Sequence, residues 1–480
     1  MNKKISTSNN ARVRLLQGVN KVANIVKATL GPYGKNVIYT DPNGLLPTVT
    51  NDGVSIAKQI QLTDPVEQAG VDIIKQSCLM TNAKAGDGTT TSITLAQAIA
   101  QIGFNDGRPV MEIKNQIANE CDIVVSALKE MAAPVGDNIR NIARVSAESV
   151  HNGDIVAELI EKIGKNGSVT VTAGSEIGVV SEVVSGAEFP QGWISPYMVN
   201  NERDEAVLEE CPVLICDVKI GNFRDIAPIM EKVVESGYRK LFVVSDGLDA
   251  SVIATTTLNK MKGIFEVVAI KLPYVDKEVF MQDISFITGA KITGTSGLMI
   301  DKMSVEDLGF CDKIIVKQES TTFLGGKGDL DKNIEALKKS VETSKDDYFK
   351  NKIIERIARL TGGVGIIRVG AQSEAEMKYL RDKLEDTVNA TKCAIDEGIV
   401  RGGGLALKEI AERYPNMLIA DALRAPYEQI QTNAGKHVDI PDHVFDPVKV
   451  TRLAVESACS AAGILITTEA VIAYDNTTKK

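Results

Sequence analysis

A change of texture along the chain is the feature that most narrows what it can fold into. Residues 11–30 place Val13, Leu16, Val19, Ala23, Val26 and Leu30 at three- and four-residue steps. This spacing predicts an amphipathic helix, stopped by Gly31-Pro32. A second helical region is expected over about 64–130, interrupted by AGDGTTT at 85–91. From 134 to 184 the pattern is mixed, with the β-rich run SVTVTAG at 168–174. Between about 185 and 364, apolar runs at 212–220, 240–247, 265–272 and 313–318 alternate with helical stretches such as 223–237 and 250–263. Such alternation predicts an α/β module with parallel pairing. After 376 the chain is helical again, and the last long helix is expected to open with Asp446 as N-cap and Pro447 at N1.

Composition bounds the function. The 480 residues allow about three domains of roughly 150 residues each. The net charge of −9 argues against nucleic acid as a partner, since that needs a basic footprint. No secretory h-region opens the sequence, and no run reaches the ~18 apolar residues of a spanning helix, so no membrane partner is expected. The seven cysteines are scattered, and only Cys211 and Cys216 lie close. Without companion Cys or His they do not spell a zinc site, and buried, reduced thiols in a cytoplasmic protein are expected.

Four glycine-rich turns could carry chemistry. The strongest is Ala85-Gly86-Asp87-Gly88-Thr89-Thr90-Thr91, followed directly by a helical run. Glycines let backbone approach a ligand, and donors at a helix N-terminus suit an anion such as phosphate. Asp87 is suited to hold a Mg²⁺ that in turn meets the phosphate. The plainer reading is a glycine turn with a threonine N-cap. The other three are Thr29-Leu30-Gly31-Pro32-Tyr33-Gly34, Thr50-Asn51-Asp52-Gly53 and Gly402-Gly403-Gly404, each of which alone reads as structural. An ordinary P-loop is excluded, because GGKGDL at 325–330 lacks the hydroxyl and the following helix.

Together these segments resemble a family. TLGPYGKNV at 29–37, NDGVSIAKQI at 51–60, AGDGTTTSITLAQAIA at 85–100 and EDTVNATKCAIDEGIVRGGGLAL at 385–407 resemble the nucleotide-binding segments of group I, GroEL-type 60-kDa chaperonins. GWISPYMVN at 192–200, MQDISFITGA at 281–290, DPVKVTR at 446–452 and ITTEAVI at 466–472 fit the same family, in the same order.

The resemblance implies a multi-domain α+β chaperonin fold. Its mostly helical equatorial ATP-binding domain would take 1–133 and 397–480, and a small mixed intermediate hinge domain 134–184 and 365–396. An α/β apical client-binding domain would take 185–364. ATP would be bound by Thr29, Leu30, Gly31, Pro32, Asp87, Gly88, Thr89, Thr90, Thr91, Gly403 and Asp446, with Asp87 as Mg²⁺ ligand and K⁺ as a further candidate cofactor. Asp52 and Asp386 would orient the attacking water. Non-native polypeptides would meet Trp193, Tyr197, Met198, Ala227, Met230, Ile253, Thr257 and Leu258. The implied activity is ATP hydrolysis coupled to protein folding in a homo-oligomeric ring, seven-fold by resemblance, with a co-chaperonin lid as a candidate partner. The alternative is a ring that holds clients with weak or no turnover. The chain departs from the pattern at Asn51, where a lysine is usual, at Arg401, and in a shortened segment at 431–447.

Overall fold

The computed structural model describes residues 3–40, 47–164, 167–174, 176–201, 203–294, 299–343 and 346–474, so the polar end DNTTKK lies outside the described residues. The chain divides into two units: residues 1–158, 171–180 and 367–480 form the first, residues 159–170 and 181–366 the second. The first is therefore assembled from both ends of the chain.

It opens with β1 (Lys3–Thr7), α1 (Ser8–Val26), β2 (Val37–Tyr39), β3 (Thr48–Thr50) and α2 (Gly53–Gln59). Three long helices follow, α3 (Pro65–Ala85), α4 (Thr89–Asn105) and α5 (Val110–Met131), then α6 (Ile139–Ala147) and α7 (Val150–Ile163). Next come β4 (Ser168–Ala173) and β5 (Gly178–Val184). The second unit continues with β6 (Gly186–Phe189), β7 (Ala206–Cys216), α8 (Phe223–Glu235), β8 (Lys240–Ser245), α9 (Ala250–Met261) and β9 (Glu266–Lys271). α10 (Lys277–Thr288), β10 (Ile292–Thr293), β11 (Gly309–Val316), β12 (Thr321–Gly326), α11 (Leu330–Thr343), α12 (Asp347–Thr361) and β13 (Val364–Gly370) follow. The chain ends through α13 (Glu374–Glu397), β14 (Ile399–Arg401), α14 (Leu405–Arg413), α15 (Ala420–Ala434), β15 (Phe445–Pro447), α16 (Val448–Thr467) and β16 (Ala470–Tyr474). This mixture of helical and sheet-bearing parts is the expected α+β class.

Packing in the first unit centres on α16, which touches α3, α4 and α5. By length and composition α16 could cross a membrane, but most of it is buried inside the unit. Small residues (Ala454, Ala458, Ala461, Ala462, Gly463) let its neighbours approach closely. The buried stripe of α1 is Ala11, Leu15, Val19, Val22, Ala23 and Val26, so the expected face is corrected: Val13 is exposed. The helix also ends at Val26, and a 3₁₀ turn over Lys27–Thr29 leads to Gly31. Gly31 has φ +79°, a left-handed value that suits glycine.

The second unit is built on one sheet of order β6–β12–β11–β7–β8–β9, with β10 also on β7. β7, β8 and β9 run parallel, Val213 facing Phe242 and Lys240 facing Glu266. The expectation of parallel pairing fails for the run at 313–318: β11 is antiparallel to both β7 and β12. The reason lies in the connections. α8 and α9 serve as crossovers between parallel neighbours, whereas β11 and β12 are joined by only four residues, which permits a hairpin and nothing else. Phe323 of β12 is fully buried, edge-on to Phe189 at 5.7 Å and to Phe242 at 5.5 Å. Phe323→Ala is expected to cost this unit about 3–5 kcal/mol, read as a lowered denaturant midpoint of its unfolding transition.

Candidate functional site

Five stretches far apart in sequence meet in one recess of the first unit, a cavity of about 150 Å³. Its lining comes from the turn after α1 (Thr29, Leu30, Gly31), the loop into α2 (Asn51, Asp52, Gly53), the loop into α4 (Asp87 to Thr91), and Glu148, Lys383 and Asp386. The volume suits a phosphate end rather than a whole drug-sized ligand.

The floor is the α3–α4 junction. Gly86 (φ +66°) and Gly88 (φ +82°) turn the chain sharply between two long helices. A Cβ on Gly88 would sit 2.6 Å from Val450 of α16, so both conformation and space require glycine. The first intrahelical bond of α4 runs from the Ser92 N–H to the Gly88 carbonyl at 3.0 Å. The N–H groups of Thr89, Thr90 and Thr91 thus have no helical carbonyl to serve, which is the anion-binding arrangement of a helix start. Gly53 closes on the same threonines: an added Cβ would lie 2.7 Å from Thr90 Oγ1.

Three predicted acids converge here. Asp52 caps α2, its Oδ1 accepting from the Val54 N–H at 3.1 Å and its Oδ2 from the Ser55 N–H at 2.8 Å. Each oxygen keeps a second lone pair for another partner. Asp87 accepts the Gly88 N–H at 2.5 Å, and burial followed by the nearby Asp52 charge raises its pKa. Asp386 projects from α13, and its pKa lies well above the usual carboxylate range, through burial and then the charges of Asp87 and Asp52. Buried carboxylates whose pKa is raised by neighbouring negative charge mark a place where a cation is stabilised. Among the described residues no three acidic, His or Cys side chains form a closed metal cage. A Mg²⁺ held by one carboxylate, waters and a phosphate needs none, so Asp87 fits that ion.

The remaining predicted ligands are distributed unevenly. Pro32, Gly403 and Asp446 do not line the recess. Asp446 lies close enough to Asp87 for its pKa to be raised to about 6, by burial first and that charge second. The expectation that Asp446 caps α16 is corrected. It is the middle residue of β15, paired with Val400 of β14, and its carboxylate takes the N–H groups of Gly403 and Gly404 instead. Pro447 occupies the cap position, with no side-chain cap. Arg401 is engaged by Glu409 at 2.8 Å and Asp442 at 3.8 Å and does not line the recess. The Leu30 turn is held from α15, where Asn433 donates to the Lys27 and Leu30 carbonyls at 3.0 and 2.9 Å.

Sequence reasoning missed Lys383 and Glu148, which pair at 2.5 Å in the recess wall. Lys383 stands one helical turn before Asp386 and shares its face, a spacing that could have exposed it. Glu148 has no such signal, since it lies just beyond α6 at φ +52°. A larger groove of about 460 Å³, lined by Lys27, Gln97, Gln101 and Glu428 among others, holds none of the predicted residues.

Match to a family model described as the TCP-1/cpn60 chaperonin family spans residues 22–439. The chain belongs to that family. Among solved structures it is similar to the chaperonin gp146 from the bacteriophage EL 2 (Pseudomonas aeruginosa), crystallised in the presence of ATP-BeFx. One crystal form aligns at TM-score 0.68 and 18% identity, covering 98% of each chain. A second form aligns at 0.62 and 19%, covering 98% of this chain and 99% of that one. At such identity the likeness shows the chaperonin fold, while ATP binding follows at the level of the family.

The eight residues expected to meet clients lie in the second unit. Tyr197 (69% exposed) and Leu258 (51%) are on its surface. Ala227, Ile253, Thr257 and Trp193 are half-buried, and the Trp193 Nε1 donates to the Asp204 carbonyl at 3.2 Å. Met198 (3%) and Met230 (6%) are core residues, contrary to their expected exposure. Met198 is drawn inward because its sulfur accepts the Ala269 N–H of β9, and Met230 faces the sheet from α8. Met261 and Ile264, unforeseen, extend the exposed apolar surface at the end of α9.

The raised Asp446 pKa has a stability consequence. A carboxyl whose folded pKa exceeds its unfolded one stabilises the fold when protonated, and that contribution is lost as pH rises through about 6. Asp446→Asn is therefore expected to be more stable than the wild type at pH 7, and the difference to vanish below about pH 4, as measured by thermal unfolding across that range.

Proposed function

We propose that this protein is an ATP-dependent molecular chaperone, a homo-oligomeric ring that binds non-native polypeptides and promotes their folding through Mg-ATP binding and hydrolysis. The observation that carries the reading is the convergence of Asp52, Asp87 and Asp386 on the open N-terminus of α4. Phosphoryl transfer to water is mostly positioning and charge neutralisation, and this set supplies both. Thr89, Thr90, Thr91 and Gly88 cradle the phosphates, while Thr29, Leu30, Gly31 and Pro32 flank the nucleotide. Gly403 and Asp446 serve its ribose side. Asp87 holds Mg²⁺, which neutralises phosphate charge when bound, with K⁺ as a further cation. Asp52 and Asp386 orient the attacking water from opposite sides.

The family match and the ATP-BeFx present with the phage protein support the same chemistry. The three-domain division, the seven-fold ring, a lid-like co-chaperonin and a cytoplasmic location belong to the proposal. Clients would meet the second unit at Tyr197 and Leu258, bordered by Trp193, Ala227, Ile253 and Thr257. Lys260 of α9 donates to the Met198 and Val199 carbonyls, at 2.8 and 2.9 Å, and so ties the Tyr197 loop to that helix.

Phosphate release with Mg-ATP tests the enzyme reading. Asp386→Ala is expected to lower turnover by at least about 100-fold, the usual scale for a lost proton-handling group. A wild type without Mg-dependent hydrolysis would leave the client-holding ring as the function. On the binding side, Leu258→Ser with Tyr197→Ser is expected to weaken capture of a denatured model protein while leaving phosphate release intact. Unchanged capture would remove this surface from the client site.

A further inference from the structure

The geometry points to Lys383 as the cation that grips the terminal phosphates of the nucleotide, with Glu148 as the counter-ion that holds it in the recess until they arrive. The assignment rests on the nucleotide-site reading above and names a residue that reading does not use.

Charge balance in the recess leads to it. Four carboxylates line the cavity (Asp52, Asp87, Glu148 and Asp386), and among the described residues Lys383 is the sole cationic side chain lining it. The loop that leads into Asp52 contributes only the neutral Asn51. A triphosphate entering such a wall meets like charge on most sides. Mg²⁺ offsets part of this, and a fixed ammonium offsets more, because a charge-assisted hydrogen bond to phosphate is among the strongest available.

Position and mobility fit the role. Lys383 sits one turn before Asp386 on α13, so the ammonium and the carboxylate face the same volume. Its charge is felt by Asp87 as well as by Asp386, which puts it within electrostatic reach of both. The ammonium contacts Glu148 Oε1 at 2.5 Å, and Glu148 is nearly half exposed. Burial works against the Lys383 charge, but Glu148, followed by Tyr379 and Asp386, more than offsets it, and the group stays protonated. An ammonium has three donors, so phosphate oxygens can be taken up as the Glu148 contact loosens. Glu148 and phosphate then compete for one cation. This competition separates the proposal from a purely structural ion pair between α13 and the end of α6: in a structural pair both partners support the site, whereas in a competing pair they act with opposite sign.

Binding of the β,γ-imido analogue of ATP and of AMP, both with Mg²⁺, to the full-length protein measures the difference. Lys383→Gln is expected to weaken the analogue about tenfold or more and to leave AMP within about twofold, with Lys383→Arg recovering most of the loss. Glu148→Gln is expected to bind the analogue as tightly as the wild type or tighter. Lys383→Gln with unchanged affinity for the analogue overturns the assignment, as does an equal loss for AMP. Weakened binding in Glu148→Gln overturns it too, and that variant keeps the test decisive if Lys383→Gln does not fold. A wild type that binds neither nucleotide overturns the nucleotide-site reading itself, an outcome distinct from the others.

Discussion

Mutual repulsion among carboxylates governs this molecule's first unit. Asp52, Asp87 and Asp386 arrive from α2, from the α3–α4 junction and from α13; the Asp52 charge makes Asp87 harder to ionise, and both together do the same to Asp386. Such an arrangement costs stability unless a positive charge joins it. The fold accepts that cost because the surrounding helices fix the backbone from which the acids project. It is relieved in part by Lys383 and the N-terminus of α4, and further by any metal and its ligand. A cluster unsatisfied in the empty state is one that ligand binding stabilises.

The helix core sets how close the parts can come. α16 runs through the unit with small residues along its length, which brings α3 and α4 near enough for Gly88 to pack on Val450. A larger side chain at Gly88 would push the α4 start away from the acids, so the recess is shaped by the hydrophobic core behind it as much as by its polar lining. Asn433 does the same for the Leu30 turn from α15. Binding geometry here is inherited from packing.

Much of this was legible in the sequence, and the limits have physical causes. Helices with strong periodicity and punctuation, such as α3 with Pro65 at its start and Gly86 at its end, fall where their residues put them. The glycine and threonine run at 85–91 reads by itself as a turn and cap, and only its company with the segments at 29–37, 51–60 and 385–407 points to a shared site. Periodicity alone could not tell that β11 pairs antiparallel, since the direction of a strand is decided by the length of its connection. Nor could it show that Asp446 belongs to a strand: Asp-Pro before an apolar run is an N-cap signal, and only the neighbouring Gly403 and Gly404 amides outbid it. Met198 and Met230 look like adaptable surface residues in sequence because methionine serves cores and surfaces equally well. Glu148 was invisible for the opposite reason, since its contact with Lys383 links residues 235 apart.

The cysteines carry a consequence of a different kind. All seven are buried and unpaired, and burial pushes the Cys78 thiol up to about 12 and the Cys393 thiol to about 11. Thiolates are what alkylating reagents consume, so the raised thiols are slow to react with them, whereas the hydrogen bond with Cys459 lowers the Cys121 pKa and leaves burial as its protection. Cys78 and Cys459 lie in the helical unit and Cys211 and Cys311 in the sheet-bearing one, so native thiols act as built-in reporters of opening in each. A cysteine added at an exposed position would take up a dye or spin label ahead of the native thiols, with Cys121 the one to replace first.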